Sequence, residues 1–439
     1  MDSTRFESVL ATLNPGQSAA VDRLSDGWQG NNGSVRLTIV DGPPGTGKTH
    51  VAACAAGRWV LERRGRVVVL CPTHAAGQRV QEKMLDVGFV NDQVLHLKPG
   101  APQHDPHTGV LRFENVDQLP PNLRRLLQQA DVVITTWHGS KRAFDAVTGF
   151  LLLVDEVSQV SFAALLAILK RVRHRRLSGF GLLGDPQQLP VIATQEILAT
   201  NAAIGILRRH PECHPCRLDL QYRMNSSICA VVNDVRLKAF GGAPLQAGNQ
   251  HVGERTLDQV TNRYEPQGSP FPDILDPQAS VVFVDTAPLA AHGAAPERAV
   301  GTSWEYEVEA HLAVRLAEAV EQAFGDGDDP TIAASSPYAA QVALMRRLGA
   351  RNCKTIYQAQ GQEWDCVILS FARTMGLTIM DQVYQNIYVG LSRARSKLIV
   401  LLNVDFFGPS HRVIGSILRL VESVPGVTLV RADPAWVKS

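Results

Sequence analysis

Net charge is almost absent from this chain. Its 43 Lys and Arg balance 42 Asp and Glu to leave +1, so the whole-molecule field singles out no polyanionic partner, although a local basic groove can sit on a neutral protein. Long apolar runs are missing too: none approaches the ~18 uninterrupted residues that a membrane helix needs, which argues against a membrane partner. The stretch Met1–Ser8 holds two acids and no apolar segment, against a secretory signal. No repeat with a period of ~20–50 residues and no coiled-coil heptads occur, which sets repeat arrays aside. Cysteine is scarce and odd in number, seven over 439 residues, the pattern of reduced thiols inside a cell rather than of a disulfide framework. The expected location is intracellular and cytoplasmic, with the nucleus or a viral replication complex as alternatives.

What is present is ordinary globular material, 45% hydrophobic and 19% charged, in a chain long enough for two domains at roughly 100–200 residues each. In the first half, apolar strands at Val35–Val40, Val67–Leu70, Asp131–Thr135, Leu151–Val154 and Gly179–Leu183 alternate with helical stretches, one of them alanine-rich from Lys48 to Glu62. Such alternation predicts a parallel sheet with ligands at its carboxyl edge. The pattern resumes with Val281–Asp285, a helix over 304–323, Thr331–Ala334, a helix from Tyr338, Cys366–Ser370 and Leu398–Leu402. The expected domains are 1–240, with a small insertion over 88–125, and 279–439, joined by a linker or loop-rich crossing over 241–278. An amphipathic helix after residue 410 is expected to pack on the second domain.

Gly42-x-x-x-x-Gly47-Lys48-Thr49 follows a strand and opens a helix, the context that turns a glycine-rich stretch into a phosphate cradle. Its backbone amides and helix N-terminus suit an anion. Gly42, Pro43, Gly45, Thr46, Gly47, Lys48, Thr49 and His50 are the candidate nucleotide-binding residues, with Lys48 for the β- and γ-phosphates and the Thr49 hydroxyl for Mg²⁺. Asp155 and Glu156 end an apolar strand. Asp155 suits the Mg²⁺ shell and Glu156 suits the attacking water, which favours ATP hydrolysis over kinase chemistry. Gln188, in "GDPQQLP", can sense the γ-phosphate through its amide. Arg223 in "QYRM" and Arg393 in "VGLSRAR" can stabilise transition-state charge, although a lone arginine is more often a surface ion-pair member.

In order, the chain reads "LNPGQSAAV", "GPPGTGKT", "CPTHAA", "ADVVITT", "DEVSQ", "GDPQQLP", "QYRM", "SSPYAAQ", "TIYQAQGQEWDCVILS" and "VGLSRAR". From about residue 10 to 405 this resembles a superfamily 1 helicase core, in particular the branch that holds the nonsense-mediated-decay RNA helicases, their DNA-acting relatives and the nidovirus helicases. The resemblance implies an α/β P-loop NTPase of two RecA-like parallel-sheet domains. It implies an ATP- and Mg²⁺-dependent translocase on single-stranded DNA or RNA that unwinds duplexes, moving 5′ to 3′, and acting as a monomer with no protein partner indicated. It assigns Gln17 to the adenine, Tyr222 to stacking on the base, Glu363 to the ribose, and Arg223 and Arg393 to finger roles, with Gly361 a further candidate ATP-binding residue. Candidate nucleic-acid contacts are Pro72, Thr73, His74, Thr135 and Thr136 on the first domain, and Ser336, Pro337, Tyr338, Thr355 and Gln358 on the second. Short polar side chains suit phosphate and sugar contacts, and each could equally be a loop residue at a strand end. Tyr357 and Ala359 depart from the "VDxFQG" form of the decay-helicase branch.

Weaker signals remain open. His210, Cys213, His214 and Cys216 offer thiolates and imidazoles but no second pair at finger spacing, so a surface loop stands beside a zinc site. Five basic side chains in 170–176 could border a nucleic-acid channel or be a solvated helix end. Trp137 could stack a base or sit in the core. Two other readings stay alive: a nucleic-acid-stimulated ATPase that remodels complexes without unwinding, and a P-loop ATPase unrelated to nucleic acid.

Overall fold

The computed structural model describes residues 1–26, 37–62, 64–172, 177–189, 203–210, 215–291, 295–325, 331–376 and 384–437. Cys213, His214 and residues 173–176 of the basic run lie outside these. Contacts divide the chain into two compact units, 1–186 with 190–219, and 187–189 with 220–439. No helix among the described residues is long and apolar enough to cross a membrane.

The first unit is built on nine strands among the described residues: β1 Leu37–Asp41, β2 Arg66–Cys71, β3 Val94–Lys98, β4 Gln103–Asp105, β5 Val110–Arg112, β6 Val132–Thr136, β7 Phe150–Val154, β8 Leu177–Gly184 and β9 Cys216–Arg217. Their order is β4-β5-β3-β6-β2-β7-β8-β1-β9, parallel throughout except for the β4–β5 pair. β2 and β7 are near-continuous apolar runs because both faces of a parallel sheet are covered. Val67 and Val69 pack on one side with helices α1 (Pro15–Ser25), α2 (Lys48–Leu61) and α3 (His74–Asp86), while Val68 and Leu70 pack on the other with α4 (Phe162–Val172). Ala52, Ala53, Ala55 and Ala56 of α2 are fully buried, which lets the helix lie close against the sheet.

The segment 88–125 is no appended insertion. β3 hydrogen-bonds to β6 inside the sheet, and β4 and β5 extend its edge. The apolar residues Val94, Leu95 and Leu97 are buried there, but the Pro, His, Asp and Gly around them hid the strand.

The second unit carries β10 Val281–Asp285, β11 Ile332–Ser336, β12 Cys353–Thr355, β13 Trp364–Ser370, β14 Ala394–Leu402 and β15 Val427–Arg431, in the order β12-β11-β13-β14-β10-β15 and all parallel. Its first helix, α5 (Ser226–Phe240), buries Ile228, Val231, Val232 and Val235 against Val367, Leu369, Leu398 and Val400. That packing moves the division from the expected residue 240 back to Leu220. Nor is 241–278 a linker: Leu245, Leu257, Phe271, Ile274 and Leu275 are buried in the cores of this unit. The short helix Arg412–Leu418 buries Val413, Ile414 and Ile417 in the same unit.

The carboxyl edge of this second sheet is tied by one buried acid. Glu309, on α6 (Glu307–Phe324), is fully buried. It accepts hydrogen bonds from Thr286 Oγ1 (3.0 Å), Ser370 Oγ (2.7 Å) and the Ala372 amide (2.8 Å). Ala372 has φ +52°, a left-handed conformation that a side chain disfavours, so the carboxylate holds a strained turn in place. Burial pushes Glu309 up to about 7 from 4.5, the three donors opposing it and Glu297 adding to it. The native state therefore binds more protons than the unfolded chain across that interval, and this contribution to stability is complete below 4.5 and lost as pH rises toward 7. Glu309→Gln removes that slope: its urea midpoint varies less with pH across this interval than that of the wild type.

Candidate functional site

In the first unit the strand β1 delivers the chain into a loop that only glycine can complete. Gly45 and Gly47 have φ of +77° and +83°, the left-handed region open to glycine at no steric cost. A Cβ at Gly42 would lie 2.9 Å from Lys48 Cδ, and the bare glycine lets Lys48 fold back so that Nζ donates to the Gly42 carbonyl at 2.6 Å. Thr46 Oγ1 donates to the Pro43 carbonyl at 2.8 Å. Gln17 is buried against this loop, its Nε2 donating to the Thr46 carbonyl (3.1 Å) and its Oε1 accepting from the Asn14 amide (3.2 Å). Both ends of the Gln17 amide are thus engaged on backbone. His50 turns along α2 to Cys54 Sγ of the next turn, 3.8 Å away.

β7 pairs with β8 and β8 with β1, all parallel, so Asp155 at the end of β7 comes to the same carboxyl edge as the loop. Thr49 Oγ1 lies 3.2 Å from Asp155 Oδ2. Burial, then the neighbouring Glu156 carboxylate, push Asp155 up to about 6, against the pull of Lys48, the Glu156 amide and Thr49. Glu156 itself has φ +51°, which costs an L-residue of this size about 1–3 kcal/mol and is a mark of functional sites. Its Oε2 is buried with no hydrogen-bond partner among the described residues. A carboxylate oxygen left without a donor beside a hydroxyl, a second carboxylate and a glycine loop is a place for water and a divalent cation. The residues present therefore fit Mg²⁺ on Thr49 and Asp155.

Toward the expected nucleic-acid side of this unit, Thr73 caps α3 by accepting from the Ala76 amide at 3.1 Å. His74 Nδ1 meets Nε2 of His96 at 3.1 Å. His96 escaped the sequence reading because it sits inside the hidden strand β3; it is fully buried, and burial followed by Lys98 and His74 pushes it down to about 3. A Cβ on Gly77 would stand 2.8 Å from its Nε2. Gly77→Ala is expected to destabilise the protein by about 1–3 kcal/mol through overpacking, read as a lower urea midpoint that His96→Ala in the same chain restores in part. Thr135 is buried and its hydroxyl is spent on the Leu97 carbonyl, so any strand contact there falls to its backbone. Thr136 is half-buried and its Oγ1 accepts from the Gly139 amide. Trp137 packs on the core.

The second unit gathers the arginines. Arg223 Nε donates to Glu363 Oε2 at 2.5 Å and its Nη1 to the Ser392 carbonyl at 3.0 Å, while Arg395 Nε donates to Glu363 Oε1 at 3.0 Å. The two guanidiniums, Arg223 foremost, hold Glu363 well below the usual carboxylate range against the opposing effect of burial. Glu363 is thus an arginine holder, and Arg395 is the member that sequence reasoning left unassigned. Arg393 is buried, its donors on the carbonyls of Val389 (2.9 Å) and Gln362 (3.2 Å) and on Ser392 Oγ. A finger role asks that some of these bonds be exchanged for phosphate oxygens. Gln188 Oε1 accepts from Gln360 Nε2 at 3.3 Å. Tyr222 lies across Gly248, where a Cβ would come within 2.6 Å of its ring. Gly361 has φ +78°.

Of the second group of strand candidates, Thr355 and Gln358 cap a short helix reciprocally, with Gln358 exposed and Thr355 and Pro337 half-buried. Ser336 is buried and accepts from the Tyr338 amide at 3.3 Å. Tyr338 is a core residue, packed with Tyr306 and Ala372, and not a side chain laid open to a strand.

Two AAA-domain profiles match the chain in succession, over residues 12–208 and 203–405. The DNA replication ATP-dependent helicase/nuclease JHS1 of Arabidopsis thaliana is 26% identical over 384 residues, covering 83% of this chain and 27% of its own length. The ATP-dependent helicase NAM7 of Saccharomyces cerevisiae is 25% identical over 442 residues, covering 90% of this chain and 42% of its own. The chain thus spans less than half the length of these curated relatives. The crystal structure of an arterivirus nonstructural protein 10 (helicase) aligns with 90% of this chain and 63% of its own at 16% identity, with a TM-score of 0.44. Fold, glycine loop and profile matches define a P-loop NTPase with two RecA-like sheets. Within that class, the ordered motifs and the relatives make the chain similar to the superfamily 1 helicases.

Proposed function

We propose that the chain is an ATP-driven motor that moves along single-stranded nucleic acid and unwinds duplexes. The observation that carries this reading is the strained Glu156 with its buried, unpartnered oxygen beside the Thr49–Asp155 pair. In the proposed reaction the loop amides and Lys48 bind the phosphates, and Glu156 orients a water and takes its proton as the water oxygen bonds to the γ-phosphorus and the β–γ bridging bond breaks. Mg²⁺, held by Thr49 and Asp155, would neutralise charge on the phosphates and favour the ionised form of Asp155. Arg223 and Arg393 would stabilise transition-state charge. Similarity to the family supports 5′-to-3′ movement, action as a monomer and an intracellular location.

Steady-state ATP hydrolysis with and without single-stranded DNA or RNA tests the motor. Stimulation by one polymer, lost in Lys48→Ala, is the expected result. Turnover indifferent to both polymers would favour an ATPase with another load. Duplexes with a single 5′ or 3′ tail test polarity, and unwinding that needs a 3′ tail would overturn it.

A further inference from the structure

We propose that the hairpin of Arg298–Val300 and Ser303–Glu305 is a nucleic-acid contact that packs against the faces of the bases; this rests on the nucleic-acid reading above. The two strands pair antiparallel, with Arg298 opposite Glu305, Ala299 opposite Trp304 and Val300 opposite Ser303, around Gly301 at φ +61°. An isolated two-stranded hairpin is marginal in water, and this one is fastened on both faces.

On one face, Trp304 lies under the Arg373 guanidinium, whose carbon is 3.8 Å from the ring centroid. Glu297, just before the hairpin and buried, accepts from Arg373 Nε (3.3 Å) and from the amides of Thr374 (3.0 Å) and Met375 (3.1 Å). On the other face, Ser303 Oγ accepts from the Ala340 amide at 3.1 Å, in the first turn of α7 (Ala339–Arg347), and Glu305 is 3.4 Å from Arg347 Nη2. That helix leaves the carboxyl end of β11, the edge at which open parallel sheets take their ligands.

All this anchoring holds up a small exposed patch. Arg298 has three-quarters of its side chain in solvent (75%), and Val300 is 44% exposed. A Cβ at Gly301 would meet nothing within 4 Å. Arg298 and Val300 point from the face that also carries Ser303 and Glu305, because residues opposite in register share a face. Glu305 Oε1 accepts from Arg298 Nε at 2.6 Å, which fixes the guanidinium plane and leaves it open to solvent. A fixed cationic plane beside a methyl-bearing side chain suits the π-face of any base and reads none of the base edges. The occupant is therefore a single strand, bound without sequence preference.

The test is site-directed photo-crosslinking. The six cysteines among the described residues are buried, so Val300→Cys in a Cys213→Ser background takes a benzophenone maleimide at one place. Thr355→Cys is the comparison within the expected strand path, and Leu429→Cys, exposed on β15, is the comparison away from it. With a mixed-sequence oligonucleotide, crosslinking is expected from 300 and not from 429, and unlabelled polymer competes it away. Arg298→Ala raises the polymer concentration for half-maximal crosslinking from 355 by about fivefold or more. Crosslinking from 355 without 300, or equally from 300 and 429, overturns the hairpin contact while the motor reading stands. Silence at 300 and 355 together with ATP turnover that no polymer stimulates overturns both.

Discussion

Glu156→Gln binds ATP and fails to turn it over. The amide keeps the size of the side chain and the left-handed backbone of residue 156, but it cannot accept a proton from water. Loss of a positioned general base lowers turnover by about 10²–10⁴-fold. Binding through the glycine loop and Lys48 does not use this oxygen, so the affinity for a fluorescent ATP analogue is retained. Single-turnover hydrolysis separates the two: a normal rate in the variant would remove Glu156 from the chemistry and leave its buried, unpartnered Oε2 to another cause. The substitution also removes the negative neighbour that helps to raise Asp155, so Asp155 ionises at lower pH in the variant.

Arg223→Ala is expected to lower polymer-stimulated turnover by about 10³–10⁵-fold, the range of an arginine that meets transition-state charge. Arg223 shares Glu363 with Arg395. Alanine at 223 leaves that carboxylate with Arg395, so folding is retained and the loss falls on kcat. Glu363→Gln is the informative companion. It leaves both guanidiniums in place without their common anion, and its loss of turnover is smaller than that of Arg223→Ala. Steady-state kinetics of the pair check the order; a larger loss in Glu363→Gln would make the carboxylate, and not Arg223, the group that meets the nucleotide.

Most of the strands could be read in the sequence where they are apolar runs that end in polar loops. Val67–Leu70, Leu151–Val154 and Val281–Asp285 are of this kind, because strands buried on both faces show their burial directly. β3 was lost because its apolar residues flank His96 and lead into a proline-rich loop. β15 was lost because, at the sheet edge, only Val427 of its five residues is buried. The glycine loop and the Asp155–Glu156 pair were legible since their chemistry needs adjacent residues. Side-chain direction was not: nothing local to "SSPYAAQ" or "ITT" says that Tyr338 and Thr135 turn inward. The Glu363 clasp was hidden for the same reason, its partners Arg223 and Arg395 being brought to it only by the fold of the second unit. The boundary at Leu220 depends on which sheet α5 packs against, and amphipathic spacing does not name the sheet.

The left-handed backbone at Glu156 sets folding and turnover against each other. Glycine adopts that conformation freely and asparagine with little strain, so either would relieve about 1 kcal/mol of strain, and more stable descendants lie one or two base changes away. A screen that rewards only thermal resistance or yield would drift toward them and, on the proposed mechanism, collect stable proteins that bind ATP without turning it over. On the proposed mechanism, the acidic side chain at this position persists only under selection for turnover.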